Sequence, residues 1–183
     1  VDAATLRGLP AGHVLPSTAA YDDADEAVRV AFDFDGVLAD DASERVYKTK
    51  GLTPYLKTEA GSRDKALAPG PLQRLLADLN VIQDREEARR TLDISYEPRL
   101  RIALVTARNA PAHERAVMSL KEWGVRVNDA FFMGGVDKSR VLRVLKPHVF
   151  FDDQTTHLDG ASDVVAGVHI PYGVANERPK ESM

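Results

Sequence analysis

A chain of 183 residues, 44% hydrophobic and 28% charged, is large enough for one good core with a small insert and is ordinary in globular composition. Its formal charge of −4 gives no electrostatic reason to expect a nucleic acid polymer or an anionic membrane as partner. With no cysteine there is no disulfide framework, thiolate nucleophile or thiolate metal site, and no apolar run reaches the roughly 18 residues of a membrane span.

In chain order, residues 1–27 are polar and broken by Gly8, Pro10, Gly12 and Pro16. They read as a short helix, a short strand near 13–15 and a loop. Val1 rather than Met opens the chain, so the first residue is not expected to be the natural start, and no signal-peptide pattern opens it. Residues 28–34, VRVAFDF, form the first strand. Residues 40–99 are charged and interrupted by Gly and Pro, with helical patterning at 43–50 and 71–83. Leu72, Leu75, Leu76 and Leu79 make one apolar stripe there, and Pro71 suits a first helical turn.

From residue 100 a βα rhythm sets in. The spacing predicts strands at 101–105, 130–133, 148–151 and 165–170. Helices are predicted at 110–123, stopped by Gly124, at 137–145, capped by Asp137, and at 155–162. The fold class is therefore α/β, a three-layer Rossmann-like parallel sheet covered on both faces. A small helical cap, residues 40–99, is inserted after the first core strand. The core comprises 28–39 and 100–183.

The chemistry collects at strand ends, where open α/β sheets bind ligands. The first strand delivers Asp33 and Asp35 to one face, followed at once by Gly36. Two such carboxylates repel unless a cation sits beside them, and a hard divalent ion with oxygen ligands, Mg2+, is the economical choice. Thr106 ends the next strand, Lys138 opens a helix, and Asp152 and Asp153 end a third strand. These types suit phosphoryl transfer. A carboxylate attacks phosphorus, and a second one protonates the leaving oxygen and later activates water. A hydroxyl and a lysine hold the phosphoryl oxygens, and a second acidic pair completes the metal shell.

Taken together, DFDG at 33–36, the Thr106 that closes LVT, Lys138 in VDKSR and FFDD at 150–153 resemble the haloacid dehalogenase superfamily in its phosphatase form. That resemblance implies Asp33 as nucleophile and Asp35 as general acid/base. It implies Thr106 and Lys138 as phosphate ligands, and Mg2+ held by Asp33, the Asp35 carbonyl, and Asp152 or Asp153. A narrower resemblance runs from residue 28 to about 176. SERVYKTKGL, PGPLQRLLADL, LVTARNA, KEWGV, KPHVFFDDQTTHLDGA and HIPYGVA are similar to the cytosolic 5'-nucleotidase type I family. It implies a cytoplasmic, Mg2+-dependent hydrolase of nucleoside 5'-monophosphates, AMP among them. That family reads DGDA where this chain has DFDG, and carries a substantial N-terminal region whose tail residues 1–27 resemble, so the resemblance implies that the rest of that region is missing.

The substrate-binding candidates are Thr106, Ala107, Arg108, Asn109 and Lys138; for Arg108 a surface salt bridge is an equal alternative. One of Asp152 and Asp153 can cap the following helix while the other binds metal. Tyr47 and Tyr55 can stack on a base or pack internally. Trp123 and His148 read as structural, and His157 and His169 make no zinc site. A calcium loop at 33–44 fails because Leu38 stands where glycine is needed, and a receiver domain has its acidic pair first rather than last. A phosphatase for another small phosphomonoester and a non-catalytic nucleotide-binding fragment remain as alternatives. The sequence leaves homo-oligomerisation open.

Overall fold

The computed structural model describes residue 1, residue 4 and residues 9–177. The helix expected at the start of residues 1–27 lies outside the described residues. The strands are β1 (His13–Val14), β2 (Val28–Phe32), β3 (Leu100–Thr106), β4 (Asp129–Phe132), β5 (Val149–Asp152) and β6 (Ala166–His169). The helices are α1 (Ala42–Lys50), α2 (Leu52–Gly61), α3 (Gln73–Leu92), α4 (Ala112–Glu122), α5 (Ser139–Leu145) and α6 (Thr155–Asp159).

The strands make one sheet in the order β1-β6-β5-β2-β3-β4. Every neighbouring pair is parallel except β1 against β6, where His13 lies opposite His169. The expected parallel sheet therefore gains an antiparallel edge, and part of residues 1–27 belongs to the sheet. The order reverses at β2. Its chain leaves toward β3, whereas β4 returns to the far side of β2 as β5, so β2 and β5 flank a topological switch point.

Alternation along the strands sends Phe32, Ile102 and Leu104 to one face, with Leu72, Leu76, Ala116 and Leu120 over them. The other face carries Ala31, Ala103, Val105 and Phe150 under Leu142 and Leu158. Helices α3 and α4 cover the first face, and α5 and α6 cover the second. Strand β2 carries buried side chains to both faces, which is why it reads as a continuous apolar run.

Residues 40–99 divide in a way the charge pattern hides. Leu76 is fully buried on the sheet. Two of the α3 amides are also tied to the core: Asn80 donates to the Arg126 carbonyl at 3.0 Å and Gln83 to the Leu100 carbonyl at 3.2 Å. Helix α3 is thus a layer of the core, and its long charged end, 84–92, continues the helix past the predicted stop at 83. Leu75, counted in the apolar stripe, is instead 37% exposed. Helix α2 is an element that the hydrophobic pattern does not predict. Gly51, at φ 82°, breaks the chain after α1, and Pro54 then falls in the first turn of α2, where a missing N–H costs nothing. Among the described residues no helix is long and apolar enough to cross a membrane.

Candidate active site

Asp33 follows β2 directly and stays in the ladder, its N–H donating to the Phe151 carbonyl at 2.8 Å. The chain then tightens, with Leu38 and Ala39 both donating to the Phe34 carbonyl. This places Asp33 and Asp35 at the C-terminal end of the central strand, beside the end of β5. Asp33 is 4% exposed. Its Oδ1 accepts the Phe34 N–H at 2.7 Å and its Oδ2 pairs with Lys138 Nζ at 2.9 Å. Burial pushes its carboxyl up to about 6, against the pull of Lys138 and with a further push from Asp152.

Lys138 is the N-cap residue of α5, one residue after the predicted cap Asp137, which accepts the Ser139 N–H at 2.9 Å. Its buried Nζ lies between two carboxylates, Asp33 and Asp152 Oδ2, the latter at 2.7 Å. Burial alone would discharge it; the two carboxylates more than offset that and hold its ammonium above the usual range. Asp152 is saturated. Its Oδ1 accepts the Gln154 N–H at 2.8 Å at the start of α6, and His157 Nδ1 lies 3.1 Å from Oδ2. Burial would raise the Asp152 carboxyl, but Lys138 and His157 keep it below the usual range.

Asp153 is the opposite case. It is 1% exposed, and neither carboxylate oxygen has a hydrogen-bond partner. Burial, then Asp33, Glu44 and Asp152, push it up to about 10. Gly36 makes room for it: at φ 72° a Cβ there would lie 2.7 Å from Asp153 Oδ2. Its backbone is pinned, the carbonyl accepting the Asn176 amide at 2.9 Å. Orphaned buried carboxylate oxygens beside a second carboxylate fit a hard divalent cation. Asp33, Asp152 and His157 also bring ligand atoms within 4.8 Å of one another. There, however, the Lys138 ammonium already occupies the gap between Asp33 and Asp152.

The Asp35 carboxylate is paired with Arg108. Arg108 Nε and Nη2 hold its two oxygens in a bidentate pair, each at 2.7 Å. Arg108 is 3% exposed, so the surface salt bridge that the sequence allowed is instead a buried one. Its Nη1 turns to Glu59 of α2 and to the Ala112 carbonyl. Glu59 is fully buried and also takes Ser43 Oγ at 2.7 Å and Arg115 Nη1 at 2.9 Å. Thr106 is buried at the end of β3, its Oγ1 accepting the Arg108 N–H at 3.3 Å. Ala107 and Asn109 are exposed on the same turn. Tyr47 and Tyr55 pack edge to face at 5.8 Å. Trp123 stacks on Phe34, and His148 accepts the Arg29 N–H, both structural as read. Sequence reasoning missed Glu59, Arg115 and the His157–Asp152 contact. Nothing in LTPYLKTEAG separates Glu59 from a solvated helix acid; only its position opposite Arg108 does.

The model of the 5'-nucleotidase family matches residues 1–177. Human cytosolic 5'-nucleotidase 1B is 38% identical over 138 residues, 75% of this chain but 22% of that protein, so the chain spans less than a quarter of this relative. Among solved structures, a haloacid dehalogenase-like hydrolase from Burkholderia xenovorans aligns over 85% of this chain and 87% of that one, at 15% identity and TM-score 0.42. The HAD domain of the effector Lem4 from Legionella pneumophila aligns over 85% and 88%, at 13% identity and TM-score 0.41. With a family match that runs almost end to end, this chain belongs to the 5'-nucleotidase family.

Proposed function

We propose that this chain is the catalytic unit of a Mg2+-dependent 5'-nucleotidase that hydrolyses nucleoside 5'-monophosphates, AMP-like, through an aspartyl phosphate on Asp33. The observation that carries the reading is the meeting of Asp33, Lys138 and Asp153 at the switch point, one carboxylate paired with an ammonium and the other with nothing. Asp33 and Asp153, with the Asp35 carbonyl, would hold the Mg2+. Bound there, it offsets phosphoryl charge and brings the phosphate to the nucleophile.

The chain's own groups divide the work. A carboxylate oxygen of Asp33 attacks phosphorus while the ester P–O bond breaks, and Asp35 gives its proton to the departing 5'-oxygen. Water, losing a proton to Asp35, then attacks the same phosphorus and releases phosphate, which restores Asp33. Lys138 neutralises charge on the phosphoryl oxygens, and the Thr106–Asn109 turn lines the phosphate side. Asp152 orients Lys138 rather than the metal. Helices α1 and α2, residues 40–68, form the cap; α3 stays with the core. The relative's designation as a cytosolic 5'-nucleotidase supports both the nucleotide substrate and a cytoplasmic setting.

The test is phosphate release from a panel of purine and pyrimidine monophosphates and sugar phosphates, with and without Mg2+. Mg2+-dependent release that favours nucleotides supports the reading. Equal rates on sugar phosphates contradict the nucleotide assignment, and no release from any ester contradicts the phosphatase itself.

A further inference from the structure

The Asp35 carboxylate is held by a relay that begins in the cap. Arg108 grips both Asp35 oxygens at 2.7 Å and reaches Glu59 with its remaining terminal nitrogen. The face of that guanidinium rests on Phe34, whose ring centroid lies 5.0 Å from the Arg108 Cζ. The residue between the two acids of DFDG is therefore a platform for the arginine, and the bulk that sets this motif apart has a use. Glu59 is fully buried in α2; its Oε1 is fixed by Ser43 of α1 and Arg115 of α4, which leaves Oε2 to Arg108. Nothing in phosphoryl transfer calls for a buried carboxylate there.

We propose that Glu59 is a positioning residue for the reaction, acting through Arg108 to hold Asp35 in the orientation from which it protonates the leaving oxygen. The inference rests on the phosphatase reading above. Without Glu59, the Nη1 end of the Arg108 fork keeps only the Ala112 carbonyl and loses its charged partner. The other end then no longer sets the direction of the Asp35 carboxylate. Because Glu59 and Ser43 belong to α2 and α1, the seating of the cap on the core decides whether the acid is aimed.

The consequence is specific to the leaving group. A nucleoside 5'-oxygen needs a proton as it departs, whereas p-nitrophenolate leaves without one. The kcat/KM reports the first half-reaction, so it isolates this step from the later attack of water on the acyl phosphate. Glu59→Gln is expected to lower kcat/KM for AMP about tenfold or more while changing kcat/KM for p-nitrophenyl phosphate less than about threefold. Ser43→Ala, which removes one hydrogen bond from Glu59 and no charge, is expected to show a smaller skew in the same direction. If Glu59→Gln fails to fold, Ser43→Ala decides alone. Equal losses on both esters, or no loss on AMP, overturn the inference and leave the phosphatase reading standing. A wild-type protein that turns over neither ester overturns both.

Discussion

Replacing Asp153 with asparagine should stabilise the metal-free protein and silence its response to Mg2+. Both expectations run against the usual outcome of a core substitution. The Asp153 carboxyl is buried without a single donor, and burial followed by Asp33, Glu44 and Asp152 pushes it up to about 10 from 3.8. At pH 7 folding must therefore protonate a group that the unfolded chain ionises. About 3 pH units of displacement, at about 1.4 kcal/mol each, set an upper figure of about 4 kcal/mol for what an uncharged side chain recovers. An amide buried there without hydrogen-bond partners itself costs about 1–3 kcal/mol, which reduces the net gain to about 1–3 kcal/mol. The native state binds more protons than the unfolded state between pH 3.8 and about 10, so metal-free wild type should lose stability as pH rises through that window. Asp153→Asn should flatten the slope. The assay is urea denaturation across pH, with and without MgCl2. Wild type should gain about 2.7 kcal/mol at Mg2+ one hundred times its Kd, and the variant nothing. A variant less stable than wild type without metal, or one that keeps the Mg2+ gain, refutes the reasoning.

Three further outcomes follow from the same geometry. Lys138→Ala leaves Asp33 and Asp152 buried without their shared ammonium and should cost about 3–5 kcal/mol by urea denaturation. Gly36→Ala places a Cβ against Asp153 at positive φ and should cost about 1–2 kcal/mol while weakening Mg2+-dependent stabilisation. Leu76→Ala should cost about 2–5 kcal/mol, because α3 is part of the core; a cost near zero would return that helix to the cap.

What the sequence made legible follows from which signals are local. Strands β2, β3 and β5 announce themselves because strands buried on both faces read as apolar runs. The acids at their ends are legible because nothing else explains charge at the end of such a run. Helix α3 misleads because a helix covering one sheet face needs only a narrow apolar stripe, and its far end, 84–92, is solvated. The choice between Asp152 and Asp153 depends on where Lys138 and the Gln154 N–H reach, which adjacent identical residues cannot reveal. Glu59 is invisible for the same reason: its partner Arg108 is 49 residues away.

The central claim is a covalent one, and borohydride trapping tests it most directly. Incubation of the protein with AMP and Mg2+, a quench with sodium borohydride and peptide mass spectrometry should find Asp33 reduced to homoserine. The same treatment without AMP, or of Asp33→Asn, should leave residue 33 unreduced. Turnover of AMP with residue 33 unmodified and Asp33→Asn fully active would contradict the account.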